Sequence, residues 1–180
     1  MNKSKLEEHY KNTVREKLQK KFNYKNPHQI PQLVKVVVSM GLAKASADKQ
    51  HMTYVFDVLK QITGQKPLQT KAKKSISNFK LRENQVIGGV VTLRKHKMYD
   101  FIYKLTNVNA PRISDFRGFR RKADGRGNYS LGLQDQAIFY EVDLDAMKFA
   151  QGMNVTFVTT AQTDEECLAL LEYLDVPLKK

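Results

Sequence analysis

Lys71, Lys73, Lys74, Lys80 and Arg82 stand close together with no acid among them, and the chemistry open to such a cluster is the binding of phosphate. Ile76, Phe79 and Leu81 are interleaved, so the stretch offers apolar surface to a ribose or a base between its charges. These cations would lose their hydration in a core that gave them no partners. The segment therefore stays wet until a polyanion of matching shape covers it, and folded RNA is such a ligand. A solvated face of an ordinary loop is the alternative.

Enzymatic chemistry has less to work with. His9, His28, His51 and His96 fall on different expected elements, and none has a partner at metal-ligand spacing, so each is expected at the surface. His96 between Lys95 and Lys97 would suit a ribonuclease-like acid or base, but no second titratable group converges on it. Gly88-Gly89 and Gly125-Arg126-Gly127 lack the glycine and lysine spacing of dinucleotide or P-loop sites and fit a turn or a close backbone approach. Glu141, Asp143 and Asp145 form an acidic turn whose spacing is a weak signal for a cation. A single cysteine, Cys167, excludes an internal disulfide and a cysteine-based zinc cluster. No catalytic residue, metal or cofactor is expected.

Charge is unevenly spread along the chain. The net charge is +13, yet residues 1–90 hold 18 Lys plus Arg against 6 acids, whereas residues 91–180 hold 13 against 12. From Gly127 to Lys180 the balance reverses to 3 cations against 9 acids, so that stretch suits solvent or a protein better than phosphate. A one-sided basic surface follows. No apolar run is long enough to span a bilayer, and the N-terminus lacks the apolar region of a signal peptide. Arg15 is its only early Arg and Glu7, Glu8 and Glu16 are present, unlike a transit peptide. The expectation is a soluble cytoplasmic protein with no membrane partner.

The elements that must position the cations come from periodicity. Leu6, Tyr10, Val14 and Leu18, four apart, mark a helix within Ser4 to Phe22 that Asn26, Pro27 and Pro31 end. Leu33 to Met40 alternates, with Val34, Val36, Val38 and Met40 on one face and Lys35, Val37 and Ser39 on the other. Met52, Val55, Phe56, Leu59 and Ile62 give Ala47 to Thr63 a helical stripe closed by Gly64. A short strand at Leu68 to Thr70 and a returning strand at Val86 to Arg94 make the basic stretch a hairpin loop. Met98, Phe101, Ile102 and Leu105 predict a helix over Lys95 to Asn107, followed by an extended basic loop with six cations from Arg112 to Arg126. Short strands at Tyr129 to Leu133 and Met153 to Thr160 and a helical turn at Val142 to Ala150 come next. Thr163 and Glu166 form a capping box for a last helix buried through Cys167, Leu170, Leu171 and Leu174.

This order predicts an α+β fold: one domain over residues 1–180, an antiparallel-rich sheet with helices packed on one face, the other face open, a basic hairpin loop at 71–85 and an extended loop at 109–128. Lys35, Ser39, Thr92 and Arg94 then share the open face. Hydroxyls and cations on a sheet are a common way to read RNA. A polar face that merely meets water is the alternative.

Several long runs in this order are those of a known family. Val36-Val37-Val38-Ser39-Met40-Gly41, Thr63-Gly64-Gln65-Lys66-Pro67, Lys71 through Glu83, Val91-Thr92-Leu93-Arg94, Met98-Tyr99-Asp100-Phe101, Pro111 through Gly118 and Gly152-Met153-Asn154-Val155 closely resemble the bacterial-type universal large-subunit ribosomal protein five, the 5S-rRNA-binding protein of the central protuberance. The resemblance implies a non-enzymatic scaffold that helps fix 5S rRNA to 23S rRNA, beside neighbouring 5S-binding proteins, and that touches a small-subunit head protein across the subunit interface. It implies 5S contacts at Ser39, Met40, Gly41, Gln65 and Thr92, with Lys35 and Arg94 added from the open face, and contacts to the elbow of P-site tRNA from Lys71, Lys73, Lys74, Ser75, Ser77, Phe79, Lys80 and Arg82. Many members have Asn where this chain has Ser39, and a single hydroxyl changes both reach and hydrogen-bond number there. Two other readings of the charge are a free regulatory RNA-binding module and a ribonuclease or RNA-modifying enzyme centred on His96.

Overall fold

The computed structural model describes residues 4–42, 49–143 and 150–179. Strands β1 (Leu33–Gly41), β2 (Leu68–Lys71), β3 (Val86–Leu93), β4 (Tyr129–Leu133) and β5 (Met153–Thr159) form one sheet in the order β2-β3-β1-β5-β4. The helices are α1 (Lys5–His9), α2 (Arg15–Phe22), α3 (Lys49–Thr63), α4 (Lys95–Lys104) and α5 (Asp164–Tyr173), so the expected α+β class is what forms. The helical turn expected at Val142 to Ala150, and the first residues of the helix expected from Ala47, fall partly outside the described residues. The chain packs as two compact units, one of Met1–Val36, Leu93–Leu131 and Thr156–Lys180, the other of Val37–Thr92 and Gly132–Val155.

In the first unit, α1 and α2 are joined by a π-helical turn over Tyr10–Val14. A stripe with a strict spacing of four drifts around a helix of 3.6 residues per turn, and the wider π turn counters that drift. Leu6, Tyr10, Val14 and Leu18 are accordingly all buried. The Tyr10 hydroxyl donates to the Pro31 carbonyl at 2.9 Å, and burial raises the phenol's pKa to about 12. On α4 the expected Met98, Phe101, Ile102 and Leu105 are buried, and a second π turn over Leu105–Asn109 extends the helix. The capping box of α5 is present, with Thr163 and Glu166 each bonding the other's main-chain N–H. Burial pushes the Cys167 thiol up to about 11, which leaves it unreactive as well as inaccessible.

In the second unit, Val38 and Met40 of β1 are buried while Val37 and Ser39 are half-exposed. On β3, Gly89 and Val91 are buried and Val90 and Thr92 half-exposed. Helix α3 covers the buried side: a Cβ on Gly89 would stand 2.8 Å from the Phe56 ring and 2.9 Å from a Leu59 methyl. Gly88 and Gly89 thus sit within a strand, and close approach rather than a turn explains them. Two expectations fail. In the part of β1 that belongs to the first unit, Val34 is exposed, because Leu33 takes the inward place where β1 begins. His51 is buried, not on the surface, with the Gln151 amide oxygen 3.3 Å from its Nε2. That partner lies a hundred positions away, where no spacing rule could point to it.

Two glycines in one loop test how closely the main chain is packed. Gly125 and Gly127 have φ of 83° and 75°, but an added Cβ meets nothing within 4 Å at Gly125, whereas at Gly127 it would lie 2.3 Å from the Ala161 carbonyl oxygen. Gly125→Ala is expected to cost about 1 kcal/mol for the left-handed backbone alone. Gly127→Ala should cost about 3 kcal/mol or more, because main chain must also move. Urea unfolding of the two variants measures this, and equal losses would contradict the close approach.

Candidate nucleic-acid interface

The predicted contact residues divide by position. Ser39, Met40, Gly41, Gln65 and Thr92 all belong to the second unit, whereas Lys35 and Arg94 belong to the first. Within the second unit Ser39 and Thr92 lie on the half-exposed sides of β1 and β3, opposite the sides that α3 covers. Neither hydroxyl has a hydrogen-bond partner among the described residues. An accessible hydroxyl with unused donor and acceptor capacity is free to meet a ligand. Gln65 follows the end of α3, where the Thr63 hydroxyl donates to the Leu59 carbonyl at 2.6 Å. Its side-chain amide donates to the Thr92 carbonyl at 3.3 Å, which leaves its oxygen available and fixes the two positions relative to each other.

Met40 and Gly41 differ from these. Met40 as a whole residue is only 2% exposed, main chain included, so it offers a ligand almost no surface. Gly41 is exposed with nothing within 4 Å of an added Cβ, and its carbonyl accepts from Gln151 Nε2 at 2.9 Å. Gln151 was not among the predicted residues; it braces Gly41 and His51 together, and only the fold reveals it. In the first unit Lys35 is half-exposed and Arg94 exposed, and neither has a carboxylate partner among the described residues.

The basic hairpin is built in two stages. β2 pairs antiparallel with β3 through Leu68↔Val90, Gln69↔Gly89, Thr70↔Gly88 and Lys71↔Val86, with an irregularity between Thr70 and Lys71. Ala72 continues the pairing by donating to the Gln85 carbonyl at 2.9 Å, and it is the one buried residue of the loop. Beyond it a smaller hairpin closes through reciprocal main-chain bonds of 3.1 Å between Ile76 and Leu81, with a 3-10 turn over Ser77–Phe79 and Lys80 in the left-handed region. The Ser75 hydroxyl accepts from Glu83 N and the Gln85 amide oxygen from Arg82 N, each at 3.0 Å. The sequence shows the outer hairpin. The inner one, lacking any Asn-Gly or Asp-Gly signal, is not legible.

This framework holds Lys71, Lys73, Lys74, Ser75, Ser77, Phe79, Lys80 and Arg82 exposed. Among the described residues no carboxylate pairs with any of the five cations. Phe79 is 72% exposed at the tip and Ile76 43%. Exposed apolar groups between unpaired cations suit stacking on bases or riboses with phosphates on either side. Among the described residues there is no group of three or more His, Cys, Asp or Glu able to hold a metal ion, and no helix long and apolar enough to cross a membrane.

Known proteins match this chain almost end to end. Residues 26–82 match the family model for "Ribosomal protein L5", and residues 86–178 match the model for the C-terminus of the same ribosomal family. The "Large ribosomal subunit protein uL5" of Chlamydia felis is 56% identical, covering 98% of this chain and 98% of that protein. The protein of that name from Protochlamydia amoebophila is 56% identical over 98% of this chain and 95% of its own length. That from Chlamydia abortus is also 56% identical, over 98% of both. With two family models covering most of its length and relatives this similar from end to end, the chain belongs to the family of the large ribosomal subunit protein uL5.

Proposed function

We propose that the half-exposed side of β1 and β3 binds 5S rRNA and helps attach it to 23S rRNA in the central protuberance, while the basic hairpin loop at 71–85 contacts P-site tRNA. As a member of its family the chain is a structural constituent of the large ribosomal subunit, not an enzyme, and it works in the cytoplasm. The ribonuclease reading centred on His96 falls with that membership.

The observation that carries the 5S assignment is the pair of unpartnered hydroxyls, Ser39 and Thr92, on a strand side that α3 leaves uncovered, with Gln65 fastened beside Thr92. Hydroxyls and a side-chain amide on a rigid strand surface can bond ribose and base edges, which supply specificity; cations on a projecting loop supply a salt-dependent term that any RNA satisfies. In the first unit, Lys35 and Arg94 are further candidates for phosphate contacts. The loop's five unpaired cations and its exposed Phe79 support a separate RNA target. Neighbouring 5S-binding proteins and a small-subunit head protein complete the set of partners, and the acidic stretch from Gly127 onward is the better match for protein.

Thr92→Val keeps the side chain's shape and removes its hydroxyl. The 5S affinity is expected to fall by about 1 to 2 kcal/mol, with the unfolding midpoint unchanged. An unchanged affinity, measured by filter binding, would mean that the strand surface is not the reader.

Replacing Lys71, Lys73, Lys74 and Lys80 with Gln should leave folding intact, because these side chains are exposed. Specific 5S binding should be largely retained and ribosomes should still assemble. Dissociation of P-site tRNA should become faster, with a deficit that shrinks as salt is raised. Loss of 5S binding with tRNA retention intact would assign the loop to the other RNA.

A further inference from the structure

Gly41 ends β1, and the chain itself supplies no reason for a glycine there. Its φ lies outside the left-handed region, and an added Cβ would meet nothing within 4 Å. Neither a turn nor internal packing excludes a side chain, although glycine weakens a strand through its extra conformational freedom. The neighbouring Gly88 on β3 is different, because a Cβ there would stand 2.6 Å from the Met40 carbonyl oxygen. For the exposed Gly41 the remaining reason is a close approach from outside, in which a ligand meets the peptide itself.

That peptide is held at both ends. The N–H of Leu42 donates to the Ile87 carbonyl at 2.8 Å, and the Gly41 carbonyl accepts from Gln151 Nε2 at 2.9 Å. The first bond continues the pairing of β1 with β3. The second comes from a side chain 110 positions along the chain, just ahead of β5.

The Gln151 amide is itself oriented. Its Nε2 also donates to the Gly152 carbonyl at 3.3 Å, so two oxygens that can only accept face its NH2 group. Its Oε1 is thereby turned to His51 Nε2, 3.3 Å away, which must carry the ring proton to meet it. An amide on its own turns over readily. Here turning over would set Oε1 against two carbonyl oxygens and leave the buried His51 donor facing an NH2 group. A directed chain of bonds therefore runs from His51 on α3 through Gln151 to the exposed end of β1.

We propose that Gln151 is a positioning residue for 5S rRNA, which holds the Gly41–Leu42 peptide in the plane that the RNA meets, and that His51 acts through it by fixing the direction of its amide. Neither side chain touches the ligand. A peptide set before binding loses less freedom when the RNA arrives. The proposal rests on the reading that 5S rRNA lies along β1 and β3 as far as Gly41.

The test uses the full chain. Gln151→Met keeps the length and neutrality of the side chain and removes its donor and acceptor. In the free protein the Leu42 amide hydrogen should exchange about tenfold faster, because its peptide is then held at one end only, while the unfolding midpoint moves little. Affinity for 5S rRNA should fall about fivefold or more, with the salt slope unchanged because no charge has been altered. Faster exchange at Leu42 with 5S affinity intact would overturn the proposal. Lost affinity with unchanged exchange would overturn it too, since Gln151 would then be touching the RNA itself. His51→Phe keeps a ring and removes the Nε2 donor, and its loss of 5S affinity should not add to that of Gln151→Met in the double variant. Full additivity would contradict the part given to His51. Gly41→Ala tests the reading underneath: stability should hold or rise slightly while 5S binding weakens. If 5S affinity survives Gly41→Ala, the contact at that position fails and the proposal with it; if Gly41→Ala weakens binding and Gln151→Met does not, the contact stands and only the positioning role fails.

Discussion

Gly89 has no Cβ, and the arrangement of the second unit depends on that gap. The Phe56 ring and the Leu59 side chain occupy the space where a Cβ would be, which brings α3 down onto β3. Any larger residue there would push the helix away or force both side chains off their places. With α3 seated, the apolar alternation of β1 and β3 is satisfied on one side. A strand has two sides, and the other is left with Ser39, Thr92 and the half-exposed Val37 and Val90. The proposed interface is the side that remains once the helix has taken the apolar one.

Electrostatics divides the chain along similar lines. Several of its described acids are committed to local tasks: Glu166 caps α5, Asp124 and Asp164 hold a loop's N–H groups, and Glu172 pairs with Arg121. The cations of the hairpin loop have few such commitments. Unpaired cations held close together repel one another, a cost to the free protein that a polyanion relieves on binding. In the proposed contact the two hydroxyls would add less to affinity than to the choice of ligand, because a buried polar group that loses its partner costs more than a mismatched charge in water.

Much of this was legible in the sequence, and the reasons can be traced to particular residues. The four-residue stripe of the N-terminal helix, the alternation from Val36 to Met40, and Cys167, Leu170, Leu171 and Leu174 of α5 all follow from packing one side of a regular element, and all are buried as expected. The capping box needed only Thr163 and Glu166 at the right spacing. What the sequence did not disclose depends on partners distant along the chain or on irregular backbone. The burial of His51 needs Gln151, the brace on Gly41 needs the same residue, and the clamp on Gly125 and Gly127 needs Asp164. The two π turns and the inner hairpin at Ile76 and Leu81 break the periods on which sequence reading relies.

The central claim is that 5S rRNA lies on the uncovered side of β1 and β3 while the loop tip is left for a different RNA. Hydroxyl-radical footprinting of the full chain, free and bound to 5S rRNA, addresses it directly, since it reports the solvent access of individual side chains. Val37 and Val90, which face the proposed ligand, should lose reactivity on binding, and Phe79 at the tip should keep most of its own. Protection of Phe79 with Val37 and Val90 unchanged would contradict the account.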